Sequence, residues 1–174
     1  MRALTLVVAF LAACGVPQAG FAAAEDVTCT PSAPTINFGP YDVLSGSVLD
    51  AAGSFTVTCT HNKNTTITAT YTAKLAIAPA RQMAPPAGAD RVSYNLYVDA
   101  ARTQPWGDGT AATFTIGGTV TMNGAVSVTD APKNFYGRIS PGGQDVSAAS
   151  PGPAPTTYSQ SLTITVSCTP TPPC

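Results

Sequence analysis

Charged residues and histidine are scarce in this chain. Asp, Glu, Lys and Arg make up 10% of its 174 residues, and there is one histidine. Eight basic and nine acidic residues give a net charge of −1, which excludes a basic field for nucleic acid or anionic lipid. Helical periodicity is also missing from every window of useful length. The abundance of Thr, Ala, Gly and Pro is instead typical of an exported β protein with many turns.

The first residues have the pattern of an export signal. One positive charge, Arg2, precedes an apolar run over residues 3–13, and three alanines at 22–24 precede Glu25. We therefore predict a signal peptide over residues 1–24 and a mature chain with seven basic and nine acidic residues. The apolar run is too short to span a bilayer and no later run reaches 18 residues, so the sequence predicts no transmembrane segment.

Cys14 offers an alternative N-terminus. The run Leu-Ala-Ala-Cys at 11–14 resembles a bacterial lipoprotein cleavage site, and the chain would then be an outer-membrane lipoprotein anchored through Cys14. The cysteine count favours the signal peptide, because discarding Cys14 leaves an even number of cysteines in an oxidising compartment. Four cysteines allow three pairings. We favour the pairing in which one disulfide, Cys29 with Cys59, ties the start of the chain to an early strand and the other, Cys168 with Cys174, closes its tail.

Apolar residues alternate with polar ones through most of the mature chain. The runs with this period of two cover residues 54–60, 67–77, 92–98 and 158–168, and turn formers lie between them at 62–64, 84–88, 107–109 and 141–143. Short antiparallel strands separated by turns predict an all-β, immunoglobulin-like β-sandwich over residues 25–168. Residues 169–174 are a Pro-rich tail, which we expect to leave the strand ladder because proline lacks the N–H group.

The sequence offers few residues for catalysis. Nucleophilic catalysis needs a base beside the nucleophile, and His61 lies in the polar run His-Asn-Lys-Asn, where we expect a solvated turn residue. A zinc site needs several His or Cys ligands at metal spacing, and the cysteines are better used as disulfides. No glycine motif followed by Lys-Ser or Lys-Thr could cradle a phosphate. The sequence therefore predicts no metal, no cofactor and no enzymatic activity.

The densest cluster of polar and aromatic residues is SYNLYVDAARTQPWGDGT, at 93–110. Asp99 and Asp108 could form the carboxylate pair of a glycoside hydrolase, in which one carboxyl is held protonated beside the other. Asp99, however, has the parity of solvent-facing residues, and Asp108 lies between two glycines in a hairpin turn. We therefore expect turn chemistry and a surface ion pair with Arg102.

The same stretch holds a candidate ligand contact, formed by Tyr97, Arg102 and Trp106. If the aromatic side chains are exposed, Trp106 and Tyr97 form a platform on which a sugar ring can stack. Aromatic residues also favour strands for structural reasons, so the cluster has a second explanation as part of the fold. A surface carbohydrate-binding module or tip adhesin is the alternative function that this cluster suggests.

The order of short motifs in the chain resembles the spore coat protein U domain, a family that includes the subunits of archaic chaperone-usher pili. The resemblance covers nearly the whole mature chain. Its parts, in chain order, are Cys29, INFGPYD at 36–42, VTC at 57–59, RQM at 81–83, YNLYVD at 94–99, Arg102, WGDG at 106–109, FYGRI at 135–139 and a closing strand from Tyr158.

The resemblance implies a non-enzymatic structural subunit, exported through the periplasm to a surface pilus or coat, with adhesion or biofilm formation as its output. Such subunits resemble an immunoglobulin sandwich that lacks one strand. A periplasmic chaperone fills the apolar groove first, and after passage through an outer-membrane usher a neighbouring pilin or coat subunit fills it. Alternating Leu162, Ile164 and Val166 would form the floor of this groove, where a strand can be added through main-chain hydrogen bonds.

Two features depart from the family pattern. Cleavage after Ala24 leaves residues 25–28 before Cys29, about 13 Å of extended chain, which is too short for a donor strand. The subunit would then accept a strand without donating one, as a terminal or tip unit does, or it would belong to a coat instead of a polymerised fibre. Cleavage before Cys14 restores a longer segment, but its proline and glycine make it a poor strand. The second departure is the Pro-rich tail, because such pilins usually end at the closing strand.

Overall fold

The computed structural model of the chain describes residues 2–7, 9–10, 27–42, 46–76, 81–142, 144, 146 and 157–171. These residues form strands and no helix. The strands are β1 (Arg2–Val7), β2 (Ala9–Phe10), β3 (Val27–Pro31), β4 (Thr35–Tyr41), β5 (Leu49–Phe55), β6 (Val57–His61), β7 (Thr66–Leu75), β8 (Gln82–Met83), β9 (Val92–Ser93), β10 (Asn95–Tyr97), β11 (Ile116–Asn123), β12 (Ser127–Thr129), β13 (Lys133–Ile139) and β14 (Thr163–Thr171). The described residues therefore include no helix that could cross a membrane.

The longest strand, β7, shows why alternation located the strands. It buries every second side chain, and the intervening residues, which are threonines and Lys74, face outward. The buried set is Ile67, Ala69, Tyr71, Ala73 and Leu75, each at most 1% exposed. This run was predicted to reach Ile77, which lies outside the described residues.

The described strands pair in five sheets, ordered β11–β7–β14–β2, β12–β6–β3, β10–β13–β5, β1–β4 and β8–β9. Every pair is antiparallel except β14 with β2. Buried side chains from β4, β5, β7, β13 and β14 belong to one hydrophobic core. The prediction of an all-β, immunoglobulin-like β-sandwich is confirmed.

The chain passes from one sheet to another at two neighbouring points, between β3 and β4 and between β5 and β6. Between β3 and β4 the Ser32 N–H donates to the Thr56 carbonyl at 2.8 Å, and the Thr56 N–H, between β5 and β6, donates to Ser32 Oγ at 2.9 Å. After this crossing, β6 pairs with β3 and β12, whereas β5 pairs with β13. The reciprocal hydrogen bonds satisfy backbone groups that leave both ladders at this point.

His61 was predicted to be a solvated turn residue, and this prediction is wrong. It is the last residue of β6, it is 1% exposed, and its Nδ1 lies 3.2 Å from the Gly124 carbonyl oxygen. The alternation that buries Val57 and Cys59 simply continues by one more position.

The tail was expected to leave the ladder after Cys168, and this expectation is wrong for three residues. Thr169, Pro170 and Thr171 continue the pairing of β14 with β7. Beyond Ile164, β14 pairs with no described strand on its other side. This part of β14 is therefore an edge, where a sheet tolerates proline.

Candidate functional site

Two of the predicted groove residues, Ile164 and Val166, lie on the inner face of β14, and the third, Leu162, directly precedes this strand. Leu162 is 6% exposed, Ile164 is fully buried and Val166 is 2% exposed. On one side β14 pairs with β7 from Ile164 to Thr171. On the other side it pairs with β2 at Thr163 and Ile164 alone among the described residues. The outer edge of β14 is thus paired over two residues among the described strands, and the buried side chains beside this edge form an apolar layer.

The other edge of interest is β4, whose inward residues Ile36, Phe38 and Tyr41 are buried. Its hydrogen-bonded neighbour among the described strands is β1, which runs antiparallel to it from Arg2 opposite Tyr41 to Val7 opposite Thr35.

A β-bulge interrupts this pairing. The register shifts between Leu4 and Thr5, and Gly39 has a φ of +72°. The Gly39 N–H donates to Asn37 Oδ1 at 2.8 Å, which stabilises the turn of the backbone at this point. A glycine suits the position because side chains disfavour a positive φ.

Residues 2–7 and 9–10 join these two edges. The first part pairs antiparallel with β4, and the second pairs parallel with β14. No other described strand pairs with β4, and none extends the short pairing on the outer side of β14. The strand that closes the sandwich in this structure therefore belongs to the segment predicted to be an export signal.

Trp106, one of the candidate ligand residues, is buried rather than exposed. Its side chain is 1% exposed, and its indole Nε1–H donates to the Ala73 carbonyl of β7 at 3.2 Å. The ring lies parallel to Phe55 with centroids 5.6 Å apart, and its centroid is 5.3 Å from that of Phe135. The expectation of an exposed sugar platform on Trp106 is wrong, because no ring face is available to a ligand.

The Asp99 carboxylate stabilises the turn that follows it. Its carboxylate accepts hydrogen bonds from the N–H groups of Thr103 and Gln104 at 2.8–3.1 Å and from the Thr103 hydroxyl at 2.9 Å. Partial desolvation raises the pKa of Asp99, but these hydrogen bonds outweigh it and hold the pKa below its usual range. The predicted turn chemistry is present.

Arg102 forms an ion pair, as predicted, but the predicted partner is wrong. Arg102 Nε lies 3.3 Å from Asp50 Oδ1, so the arginine pairs with β5 instead of with Asp99 or Asp108. Arg102 has a φ of +59°, and its N–H donates to the Asp99 carbonyl at 3.1 Å. This left-handed residue ends the turn and directs the chain back across the sheet.

Asp108 is likewise a turn residue. Its Oδ1 accepts from the Thr110 N–H at 2.8 Å and the Thr110 hydroxyl at 2.7 Å, and these bonds are the main cause of its lowered pKa. Gly109 follows with a φ of +91°. Asp99 and Asp108 are therefore each occupied by their own loop, and neither is held protonated as a glycosidase acid must be.

Arg81 is a buried residue that connects several segments of the site, and sequence analysis missed this role. Its guanidinium donates to Asn95 Oδ1 at 2.7 Å, to the Leu96 carbonyl at 3.3 Å and to the Trp106 carbonyl. Burial lowers its pKa, and Tyr94 and Tyr97 partly offset this effect, but the guanidinium stays charged. Arg81 thus ties β10 to the segment that carries Trp106. The sequence signal for this role is the arginine of the RQM motif.

Comparison with protein-family models shows which family has this sequence pattern. The family model described as Spore Coat Protein U domain matches residues 4–165. The chain belongs to the spore coat protein U domain family. A comparison with curated proteins found no match. The family is a structural, pilin-like one of chaperone-usher type, whose members are subunits of surface pili or coats outside the cell.

The spore coat protein U motifs occupy framework positions in this chain. The RQM motif supplies Arg81, the WGDG motif supplies the buried Trp106 and its turn, and the FYGRI motif forms residues 135–139 of β13. Gly137 of that strand packs so closely that an added Cβ would lie 2.5 Å from Phe38 and 2.6 Å from Ile36. These motifs therefore hold the two layers together.

The cysteines of this spore coat protein U domain are partly as predicted. Cys29 and Cys59 form a disulfide between register partners of β3 and β6, with Cα atoms 4.0 Å apart. The Cys168 thiol donates to the Val27 carbonyl at 3.4 Å. Cys174 lies outside the described residues, so its bridge to Cys168 stays a prediction. Among the described residues, no group of three His, Cys, Asp or Glu is placed to hold a metal ion.

Proposed function

We propose that this chain is a strand-accepting subunit of a surface pilus or coat, completed by a strand that another protein inserts between β4 and β14. One observation carries the proposal: residues 2–7 and 9–10 pair with both of these edges. If export removes residues 1–24, both edges lose their partner together. An unpaired edge above an apolar core is an aggregation hazard, so another strand must replace the lost one.

The direction of the segment supports a single donor strand. It is antiparallel to β4 and parallel to β14, so one extended chain can satisfy both edges. Main-chain hydrogen bonds would provide affinity, and Leu162, Ile164 and Val166 beneath the edge would provide apolar contacts. A periplasmic chaperone is the first expected donor and a neighbouring subunit, delivered by an outer-membrane usher, is the final one.

The position at which β3 starts supports a subunit that accepts a strand but does not donate one. Because β3 begins at Val27, cleavage after Ala24 leaves two residues before the first strand of the mature sandwich. We therefore propose a terminal or tip unit, or a coat subunit, that contributes to adhesion or biofilm formation at the cell surface. Cleavage before Cys14 also removes residues 2–10 and would anchor the same acceptor to the outer membrane. Mass spectrometry of the exported N-terminus distinguishes the two forms.

A peptide with the sequence of residues 2–10 tests the acceptor proposal. Added to the mature chain at about 100 times its Kd, it should stabilise the fold by roughly 2.7 kcal/mol and raise Tm by roughly 5–10 °C. The matched control is the same peptide with Leu6→Pro, which lacks a backbone N–H in the middle of the strand and should have little effect. A monomeric mature chain whose Tm neither peptide changes would contradict the proposal.

A further inference from the structure

The outer face of the β10–β13–β5 sheet carries a row of large polar and aromatic side chains, here called the tyrosine face. Tyr97 of β10 is the register partner of Tyr136 of β13, and Arg138 pairs on its two sides with Asn95 and Asp50. All of these positions share the outward parity, since Phe135, Gly137 and Ile139 between them are buried. The Cβ atoms of Tyr97 and Tyr136 are thus roughly 5 Å apart on one surface.

The charged groups of the tyrosine face are held in fixed positions. Arg138 donates through Nε and its terminal nitrogen to the two Asp50 oxygens, at 2.7 and 2.9 Å. Arg102 lies 3.3 Å from the same carboxylate and stacks over Tyr136, with its guanidinium carbon 5.7 Å from the ring centroid. Planar donors that are already immobilised lose little entropy when a ligand binds.

A cleft with several polar side chains in its lining continues the tyrosine face along the strands. It has a volume of about 210 Å³, and its lining includes Ser93, Asn95, Arg138, Ser140 and Gln144. The Gln144 amide bonds to both the N–H and the carbonyl of Ser93, at 2.6 and 3.2 Å, and thereby fixes the wall. Because Asn95 and Arg138 belong to both regions, the tyrosine pair and the cleft form one strip.

We propose that this strip is a binding site for a neutral polysaccharide. One sugar ring lies on Tyr97 and Tyr136, and the next enters the cleft, which is smaller than the roughly 300–1,000 Å³ of pockets for drug-sized ligands and suits a single pyranose. Aromatic faces cover the apolar side of a sugar ring, and amide, guanidinium and carboxylate groups bind its hydroxyls. Asp50 neutralises part of the guanidinium charge and Asp99 lies on the adjoining turn, so the strip lacks the strong field that an acidic polysaccharide needs.

This proposal is independent of strand complementation. The strip lies on β10, β13 and β5, whereas the proposed acceptor edges belong to β4 and β14. The site also differs from the sequence prediction, because Tyr136 replaces the buried Trp106 as the second aromatic residue. Sequence analysis missed Tyr136 as a ligand residue, since its pairing with Tyr97 joins strands that are distant along the chain.

Calorimetric titration of the full chain tests the site, with cellopentaose and chitopentaose as neutral probes and trigalacturonate as an acidic one. We expect at least one neutral probe to bind more tightly than trigalacturonate. Tyr97→Ala and Tyr136→Ala should each raise its Kd at least tenfold, whereas Tyr97→Phe, which keeps the ring, should stay within about threefold. Phe114→Ala is the matched control, because Phe114 is 43% exposed and lies outside the strip.

Three results would overturn the proposal: no binding of either neutral probe at millimolar concentration, tighter binding of trigalacturonate, or a Kd that neither alanine variant changes. Thermal unfolding of each variant accompanies the titration. If an alanine variant is unfolded, its Tyr→Phe and Tyr→Leu counterparts replace it, since leucine fills space without an aromatic face. Equal affinity of the folded phenylalanine and leucine variants would then count against the site.

Discussion

The indole of Trp106 and the ring of Phe55 lie parallel, at an interplanar angle of 8° and with centroids 5.6 Å apart. The pair connects an irregular segment after β10 to the end of β5, and the indole N–H reaches across to β7. A residue outside the regular strands therefore fills the centre of the core and links both layers of the sandwich.

Trp106→Ala should destabilise the full chain by about 3–5 kcal/mol, because it removes a fully buried indole and leaves a cavity. Urea unfolding followed by circular dichroism measures the loss. Phe114→Ala is the control and should cost less than about 1 kcal/mol, since Phe114 is 43% exposed. Equal small effects of both changes would contradict the buried position of Trp106.

Arg81→Met should cost on the order of 3 kcal/mol. The substitution keeps much of the apolar stem but removes three hydrogen bonds from a charged donor. Asn95 Oδ1 and the Leu96 carbonyl keep the N–H groups of Leu96 and Trp106 as donors, whereas the Trp106 carbonyl loses the guanidinium, and an unsatisfied buried acceptor costs roughly 1–3 kcal/mol. Arg91→Met is the matched comparison, because Arg91 donates to carbonyls of its own loop, at Gly88 and Asp90. Equal losses of unfolding free energy for both variants would rule out a special role for Arg81.

The regular strands were predictable from the sequence because a half-buried sheet repeats every two residues. This period identified β6, β7 and β14 and the inward positions of Leu162, Ile164 and Val166. His61 was misplaced because its polar neighbours suggested a turn, although its parity with Val57 and Cys59 predicts the buried position that the structure shows.

The positions that could not be predicted from the sequence depend on pairing between segments that are distant along the chain. Trp106 lies between Pro105 and Gly107, in isolated bridges with no alternation on either side, so parity could not assign it to the core. The pairing of Arg102 and Arg138 with Asp50 requires the register of β13 against β5, which no local pattern determines. The partner of Tyr97 was missed for the same reason.

Stability should fall as the pH decreases below about 4, the usual range of an aspartate pKa. Burial raises the pKa of Asp130, but hydrogen bonds from Tyr71, Lys133 and the Ala131 N–H outweigh it and leave the folded-state pKa lowered. A lowered folded-state pKa stabilises the fold above the unfolded pKa, and this contribution is lost as pH falls through the folded value.

Asp130→Asn should therefore reduce the slope of unfolding free energy against pH between about pH 5 and pH 2, without abolishing it, because Asp50 and Asp108 also have lowered pKa values. Chemical denaturation at several pH values measures the slope. Tyr71→Phe removes the 2.7 Å hydrogen bond to Asp130 and should reduce the slope in the same direction. An unchanged slope in both variants would contradict this origin of the acid sensitivity.

The disulfide between Cys29 and Cys59 should contribute about 3.7 kcal/mol on the chain-entropy estimate for a separation of 30 residues. The double variant Cys29→Ala, Cys59→Ala should lose roughly this free energy in urea unfolding. Non-reducing peptide mapping should recover the two cysteines in one linked peptide pair, and Cys168→Ala should leave that pair intact. A map that links either cysteine to Cys168 would contradict the observed bridge.

The most direct test of strand acceptance is hydrogen–deuterium exchange of the mature chain, with and without the peptide of residues 2–10. We predict fast exchange in residues 35–41 of β4 and at Thr163 and Ile164 of β14 in the mature chain alone, and slow exchange there once the peptide is bound. Residues 66–75 of β7, which keep both neighbouring strands, should be protected in both states. Equal protection of β4 and β14 with and without the peptide would contradict an acceptor site between them.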